Sequence, residues 1–117
     1  MHAYIATDPR VLLAASDNDR AMFRSLAQIF LDTAPAMFRR MEQACGAGAS
    51  LDAFIAASHA LRGVTVLVGA HDLTMQLTAL EHAAGGGAWP APGALDGPAA
   101  LLAVVCAEVA HSIDAPP

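Results

Sequence analysis

The sequence predicts an all-α protein: an antiparallel up-and-down four-helix bundle with extra N-terminal helices. Three observations lead there. Alanine and leucine dominate while aromatic residues make up only 5% of the chain, a balance that favours helices over strands. Apolar residues recur at alternating steps of three and four in successive segments, the period of a helix face packed against its neighbours. Glycine, proline, serine and aspartate punctuate those segments where helices start and stop. With 117 residues, 56% apolar and 15% charged, a single domain over 1–117 is expected to bury about two thirds of its unfolded surface.

Residues 1–7 carry no strong local signal. Asp8-Pro9 places a capping side chain before proline at the first helical position and opens a short helix through about Ala15. Ser16 is the expected cap of a longer helix, with Asp19 three residues on and a stripe of Phe23, Leu26, Ala27, Phe30 and Leu31. Pro35 interrupts a pattern that continues through Met37, Phe38, Met41 and Cys45. Because proline removes a donor and crowds the preceding turn, a kink or break is expected near Thr33. The N-terminal helices then cover about 9–33, and the bundle helices about 34–46, 50–68, 71–85 and 97–113. Ser50 caps the second bundle helix, Gly69 stops it, and Leu73, Leu77, Leu80 and Ala84 mark the seam of the third. Residues 85–97 hold five glycines and two prolines around a single large anchor, Trp89; such a loop is expected to be merely tolerated. Asp96 and Pro98 open the last helix, apolar at Leu101, Leu102, Val105 and Val109, and the tail Ala115-Pro116-Pro117 is expected to fray.

The chain is organised around Ser58 to Ala70. At about 100° per residue, Phe54, Ala57, Leu61, Val64 and Val68 form the core-facing seam. Roughly opposite lie Ile55, His59, Arg62, Gly63 and Val66. An outward face should be polar, yet this one sets two β-branched apolar residues beside an imidazole, a guanidinium and a glycine. A tight turn near Ala70 brings the flanking helices side by side, with His59 eleven residues before it and Glu81 eleven after, so the two sit at matching height. A carboxylate there accepts an Nδ1–H and leaves Nε2 with a free lone pair, the form a nucleophile attacking phosphorus requires. Arg62, one turn beyond His59, is placed to neutralise phosphoryl oxygens. Gly63 removes bulk so that another protein can approach, and glycine at this position costs a helix about 1 kcal/mol. Read singly, Arg62 is a solvated charge and Glu81 an ordinary exposed carboxylate; their convergence on His59 gives the reactive reading its weight.

His59-Ala60-Leu61-Arg62-Gly63, followed by Val68-Gly69-Ala70, Leu73 and Leu80-Glu81, resembles the histidine phosphotransfer (HPt) domain family, and Phe30-Leu31-Asp32-Thr33-Ala34-Pro35 resembles the segment that opens its bundle. The similarity covers about residues 16–84. It implies a phosphorelay intermediate in which His59 accepts a phosphoryl group from the aspartate of one receiver domain and passes it to another. Arg62 takes the place where lysine is commonest, and Glu81 a place where a polar side chain often contacts the imidazole. The implied partners are response-regulator receiver domains and a hybrid sensor histidine kinase, with Ile55, Gly63 and Val66 in the docking face. Magnesium belongs to the receiver's acidic pocket, so no cofactor is expected on this chain, which is expected to act as a monomer. Val64, Val66 and Leu67 are bulkier than the residues the family often carries after its glycine. They support an alternative: an unphosphorylated adaptor or inhibitor that binds a receiver or kinase.

Other classes find no support. A net charge of −5 with six Lys and Arg offers nothing to a nucleic-acid backbone. Neither a signal peptide nor an uninterrupted apolar span of membrane length is apparent, so no membrane insertion and a cytoplasmic location are expected. Cys45 and Cys106 can pair, but buried free thiols are the expected state. The five histidines lack metal-ligand spacing on any helix face. Without a phosphate-cradling loop or kinase motif, the chain cannot energise its own histidine.

Overall fold

A computed structural model describes residues 4–46 and 48–115 and contains, among them, helices and no strand. Five helices follow in order: α1 (Pro9–Ala15), α2 (Arg20–Ala44), α3 (Leu51–Leu67), α4 (His71–Gly85) and α5 (Asp96–Asp114). α3 lies between α2 and α4, and α5 closes the bundle mainly against α2. The 25-residue α2 runs the length of a molecule measuring 42 × 23 × 21 Å. Proline 116 and 117 of the expected frayed tail lie outside the described residues.

Of the kink or break expected near Thr33, the break does not occur, and a single helix replaces the boundary between 33 and 34. Pro35 sits inside α2, whose buried face of Phe23, Ala27, Phe30, Ala34, Phe38, Met41 and Ala44 keeps its phase across the proline. Interior proline costs about 3 kcal/mol, whereas each large buried side chain returns about 1.5–3 kcal/mol. The continuous stripe therefore wins. Ser16 is also corrected: it ends α1, with its buried hydroxyl donating to the Leu12 carbonyl at 2.7 Å. Asp17 and Asn18 then turn the chain through left-handed φ values of 54° and 58°, a conformation that short polar side chains tolerate. Asp19 is the cap of α2, accepting from the amides of Ala21 and Met22 at 2.9 and 3.2 Å. Asp8 caps α1 as expected from its sequence, and the Arg10 guanidinium holds its carboxyl below the usual carboxylate range.

On α3 the core face is rotated toward α4 relative to the expected seam. Phe54, Leu61 and Val68 are buried, but Ala57 and Val64 are only half-buried, and Ser58 and Thr65 are sealed in their place. Thr65 Oγ1 meets Thr74 Oγ1 at 2.8 Å, and Thr74 Oγ1 donates to the Ala70 carbonyl at 2.8 Å, so hydroxyls cross-link α3 to α4. Gly69 does more than stop a helix. Its φ is +67°, and a Cβ there would lie 2.8 Å from the backbone N and O of Asp8. The N-terminal segment passes over this spot, where Asp8 N donates to the Val68 carbonyl at 3.2 Å.

The segment before α1, silent in the sequence, is held by Glu108 of α5. This carboxylate is 4% exposed. It accepts from the amides of Ile5, Ala6 and Thr7 at 3.3, 3.0 and 3.0 Å and from Thr7 Oγ1 at 2.7 Å. Burial and the nearby Glu108 charge push the Tyr4 phenol up. Glu108→Gln exchanges one acceptor oxygen for a donor that faces other donors. The substitution is expected to cost about 1–3 kcal/mol and to speed hydrogen exchange at Ala6 and Thr7; unchanged exchange at both amides would contradict the anchoring role.

Three further expectations change. Trp89 is exposed and stands outside the core cluster, whereas Leu95 and Pro98 at the end of that connection are half-buried and buried. Cys45 is exposed at the end of α2 and Cys106 is half-buried; both are free, and desolvation raises both thiols, which makes them poor nucleophiles. α5 does reach membrane-span length and apolarity, yet it buries Leu102, Val105 and Val109 in the bundle core and carries the anchoring Glu108.

Candidate functional site

His59 projects from the middle of α3, and the short turn at 68–70 carries α4 back antiparallel beside it. That geometry sets Glu81 against the imidazole, with Nδ1 and Oε1 separated by 2.8 Å. Arg62, one turn along α3, joins them: its Nη2 lies 2.8 Å from His59 Nδ1 and 2.9 Å from Glu81 Oε2. The three side chains therefore close a ring of contacts on one edge of the imidazole. Their exposures grade inward, at 70% for His59, 31% for Arg62 and 18% for Glu81. The histidine is presented to solvent while its carboxylate partner is partly screened, which strengthens the pairing over a fully exposed one.

A neutral imidazole carries one proton. Nδ1 can donate to Glu81 or accept from Arg62, and the two states differ at the other nitrogen. With the proton on Nδ1, Nε2 has an in-plane lone pair; among the described residues no hydrogen-bond partner holds that atom. Such a ring can attack an electrophile delivered from outside.

Arg62 is the surprise. Its position along the helix allows it to face an incoming anion, but its guanidinium is turned back onto Nδ1 and Glu81. A long side chain follows the nearest fixed charge, and Glu81 Oε2 supplies it.

The surroundings suit a macromolecule better than a small ligand. Among the described residues, the cleft between α2 and α3 is lined by Met37, Arg40 and the alanines 53, 56, 57 and 60, and not by His59, Arg62 or Glu81. A Cβ added at Gly63 would meet nothing within 4 Å, so the space above it is open. Val66 is 53% exposed, and Leu67 beside it is exposed as well, whereas Ile55 is half-buried and packs partly on the core. Of the expected docking residues, Gly63 and Val66 are thus freely presented and Ile55 offers only its outer edge. Leu67 lies next to Gly63 on the helix wheel and extends this exposed apolar surface. His71 and His82 are exposed.

Comparison with known proteins bears on the same residues. No curated protein and no solved structure matches the chain. The family model described as the Hpt domain matches residues 25–115. It starts inside α2 and runs through α5, later at both ends than the resemblance drawn from the sequence, and it spans α3 with His59 and α4 with Glu81. That match takes in most of the 117 residues, and the chain belongs to the Hpt domain family, the helical bundles of histidine phosphotransfer in two-component signalling.

Proposed function

We propose that the protein is a phosphorelay intermediate whose phosphoacceptor is His59. The observation that carries this reading is the exposed imidazole backed at Nδ1 by Glu81, 2.8 Å away. Nε2 attacks the phosphorus of a receiver's aspartyl phosphate; the N–P bond forms as the P–O bond breaks, and the aspartate leaves as carboxylate. The ring keeps its Nδ1 proton and gains positive charge, which Glu81 offsets. The reverse reaction delivers the group to a second receiver. Magnesium is supplied by the receiver's acidic pocket, and the upstream donor is a hybrid sensor kinase. Ile55, Gly63 and Val66 exclude water from the docked contact, and the protein works as a cytoplasmic monomer.

A second reading rests on Val66 and Leu67, whose exposed bulk suits an unphosphorylated adaptor or inhibitor of a receiver or kinase. Incubation with a phosphorylated receiver separates the two. Acid-labile, base-stable phosphate on this chain is expected; stable binding without such phosphate would favour the adaptor. Arg62→Ala is expected to slow transfer from the receiver by about tenfold or more, as loss of a charge-stabilising donor does, with a smaller change in docking affinity. Transfer kinetics equal to wild type would remove Arg62 from the mechanism.

A further inference from the structure

We propose that Arg62 gates the His59 nucleophile through its tautomer, holding part of the rings in the unreactive form until an incoming dianion draws the guanidinium away. The inference rests on the phosphoacceptor reading of His59 and concerns what happens before and during transfer.

Nδ1 has two suitors at equal distance. Glu81 Oε1 stands 2.8 Å away and needs a proton on Nδ1; Arg62 Nη2 stands 2.8 Å away and needs a lone pair there. Each bond has one ionised partner, so they compete on similar terms. When Arg62 prevails, the ring proton sits on Nε2, and that nitrogen has no lone pair for attack. When Glu81 prevails, Nε2 is nucleophilic. Both states retain the Arg62–Glu81 ion pair at 2.9 Å, so exchange between them moves one ring proton and leaves the surrounding charges in place.

Transfer forces the outcome. Once the Nε2 lone pair enters the N–P bond, the ring retains its proton on Nδ1 and has nothing to offer a donor there. The Arg62 contact at Nδ1 is then lost, while the Glu81 contact persists and improves against a positive ring. Electrons and atoms balance: a ring resting as Nε2–H first loses that proton to water while Nδ1 takes one from water, and in the transfer itself the pair of the broken P–O bond leaves on the receiver's carboxylate. Arg62, one turn from His59 on the same face, is released from Nδ1 and can turn toward the phosphoryl oxygens, which then compete with Glu81 Oε2 for its donors. A dianion approaching Nε2 exerts the same pull before the bond forms. The ring is therefore switched on by the group it must attack. Arg62 positions the proton of His59 at rest and touches the substrate only afterwards.

The test is nitrogen-15 NMR on the full chain with labelled histidine, read at the alkaline plateau where the ring shifts no longer change with pH. His59 is assigned by its loss in His59→Gln. Wild-type protein is expected to show Nδ1 and Nε2 shifts averaged between the two tautomers. Arg62→Met, which keeps the aliphatic stem, should move them to the pure Nδ1–H form, and Glu81→Gln should move them the other way. Inorganic phosphate, as the probe dianion, should shift wild type toward Nδ1–H and leave Arg62→Met unmoved. Shifts identical in wild type and Arg62→Met, or an equal phosphate response in both, would overturn the gate. Neither result depends on phosphorylation: failure of His59 to take label from a receiver, with the tautomer shift intact, would sink the relay reading alone.

Discussion

His59→Gln is expected to abolish phosphoryl acceptance while leaving the bundle folded. An amide nitrogen has its lone pair delocalised into the carbonyl and cannot displace a carboxylate from phosphorus, and no other side chain in the cluster can replace the imidazole. Arg62 has no lone pair to give, and Glu81 would form only another acyl phosphate, with no phosphohistidine. The structural cost should be small because the ring is 70% exposed; stability is expected to change by about 0.5 kcal/mol or less, as for ordinary surface substitutions. The Arg62–Glu81 pair, at 2.9 Å, does not need the ring to persist. Radiolabel transfer from a phosphorylated receiver, measured beside a far-UV spectrum, checks both halves. Label retained on the folded variant would move the chemistry to another residue.

Phe54→Ala is expected to have the largest effect on stability. Phe54 is fully buried on α3, one turn before Ser58, where α3 lies between α2 and α4. Truncating a buried phenylalanine costs about 3–5 kcal/mol, because transfer free energy and a cavity add together. Against a total of about 5–15 kcal/mol for a domain, that loss is severe. The thermal midpoint should fall by about 10–25 °C. Below the new midpoint, transfer per folded molecule should match wild type, since Phe54 touches none of the reacting groups. A midpoint within about 5 °C of wild type would contradict the packing described for α3.

Much of this arrangement was visible in the sequence because it depends on local rules. The helix stop at Gly69, the cap at Ser50 and the apolar steps of three and four fix α3 and α4 within a residue or two of their bounds. A short turn between them makes equal distance from Ala70 equal height, and the 2.8 Å contact of His59 with Glu81 follows from counting. What escaped the sequence depends on groups distant in the chain. Pro35 is carried through α2 by a buried face whose partners lie on other helices. Glu108 interrupts the apolar pattern of α5 for the sake of backbone amides about a hundred residues away, at Ile5 to Thr7. Gly69 is required by Asp8 crossing it as much as by its own φ. Arg62 was legible as a charge near the histidine; the direction its guanidinium takes is chosen by Glu81 Oε2, and no spacing rule records a rotamer.

The most direct test of the central claim is where the phosphoryl group ends up on the ring. Phosphorus-31 and nitrogen-15 NMR of the chain, phosphorylated by a receiver, should show a phosphohistidine at His59 bonded through Nε2, with the proton still on Nδ1 facing Glu81. A phosphoryl group on Nδ1, or on any of the other four histidines, would contradict a site built by backing one nitrogen and freeing the other.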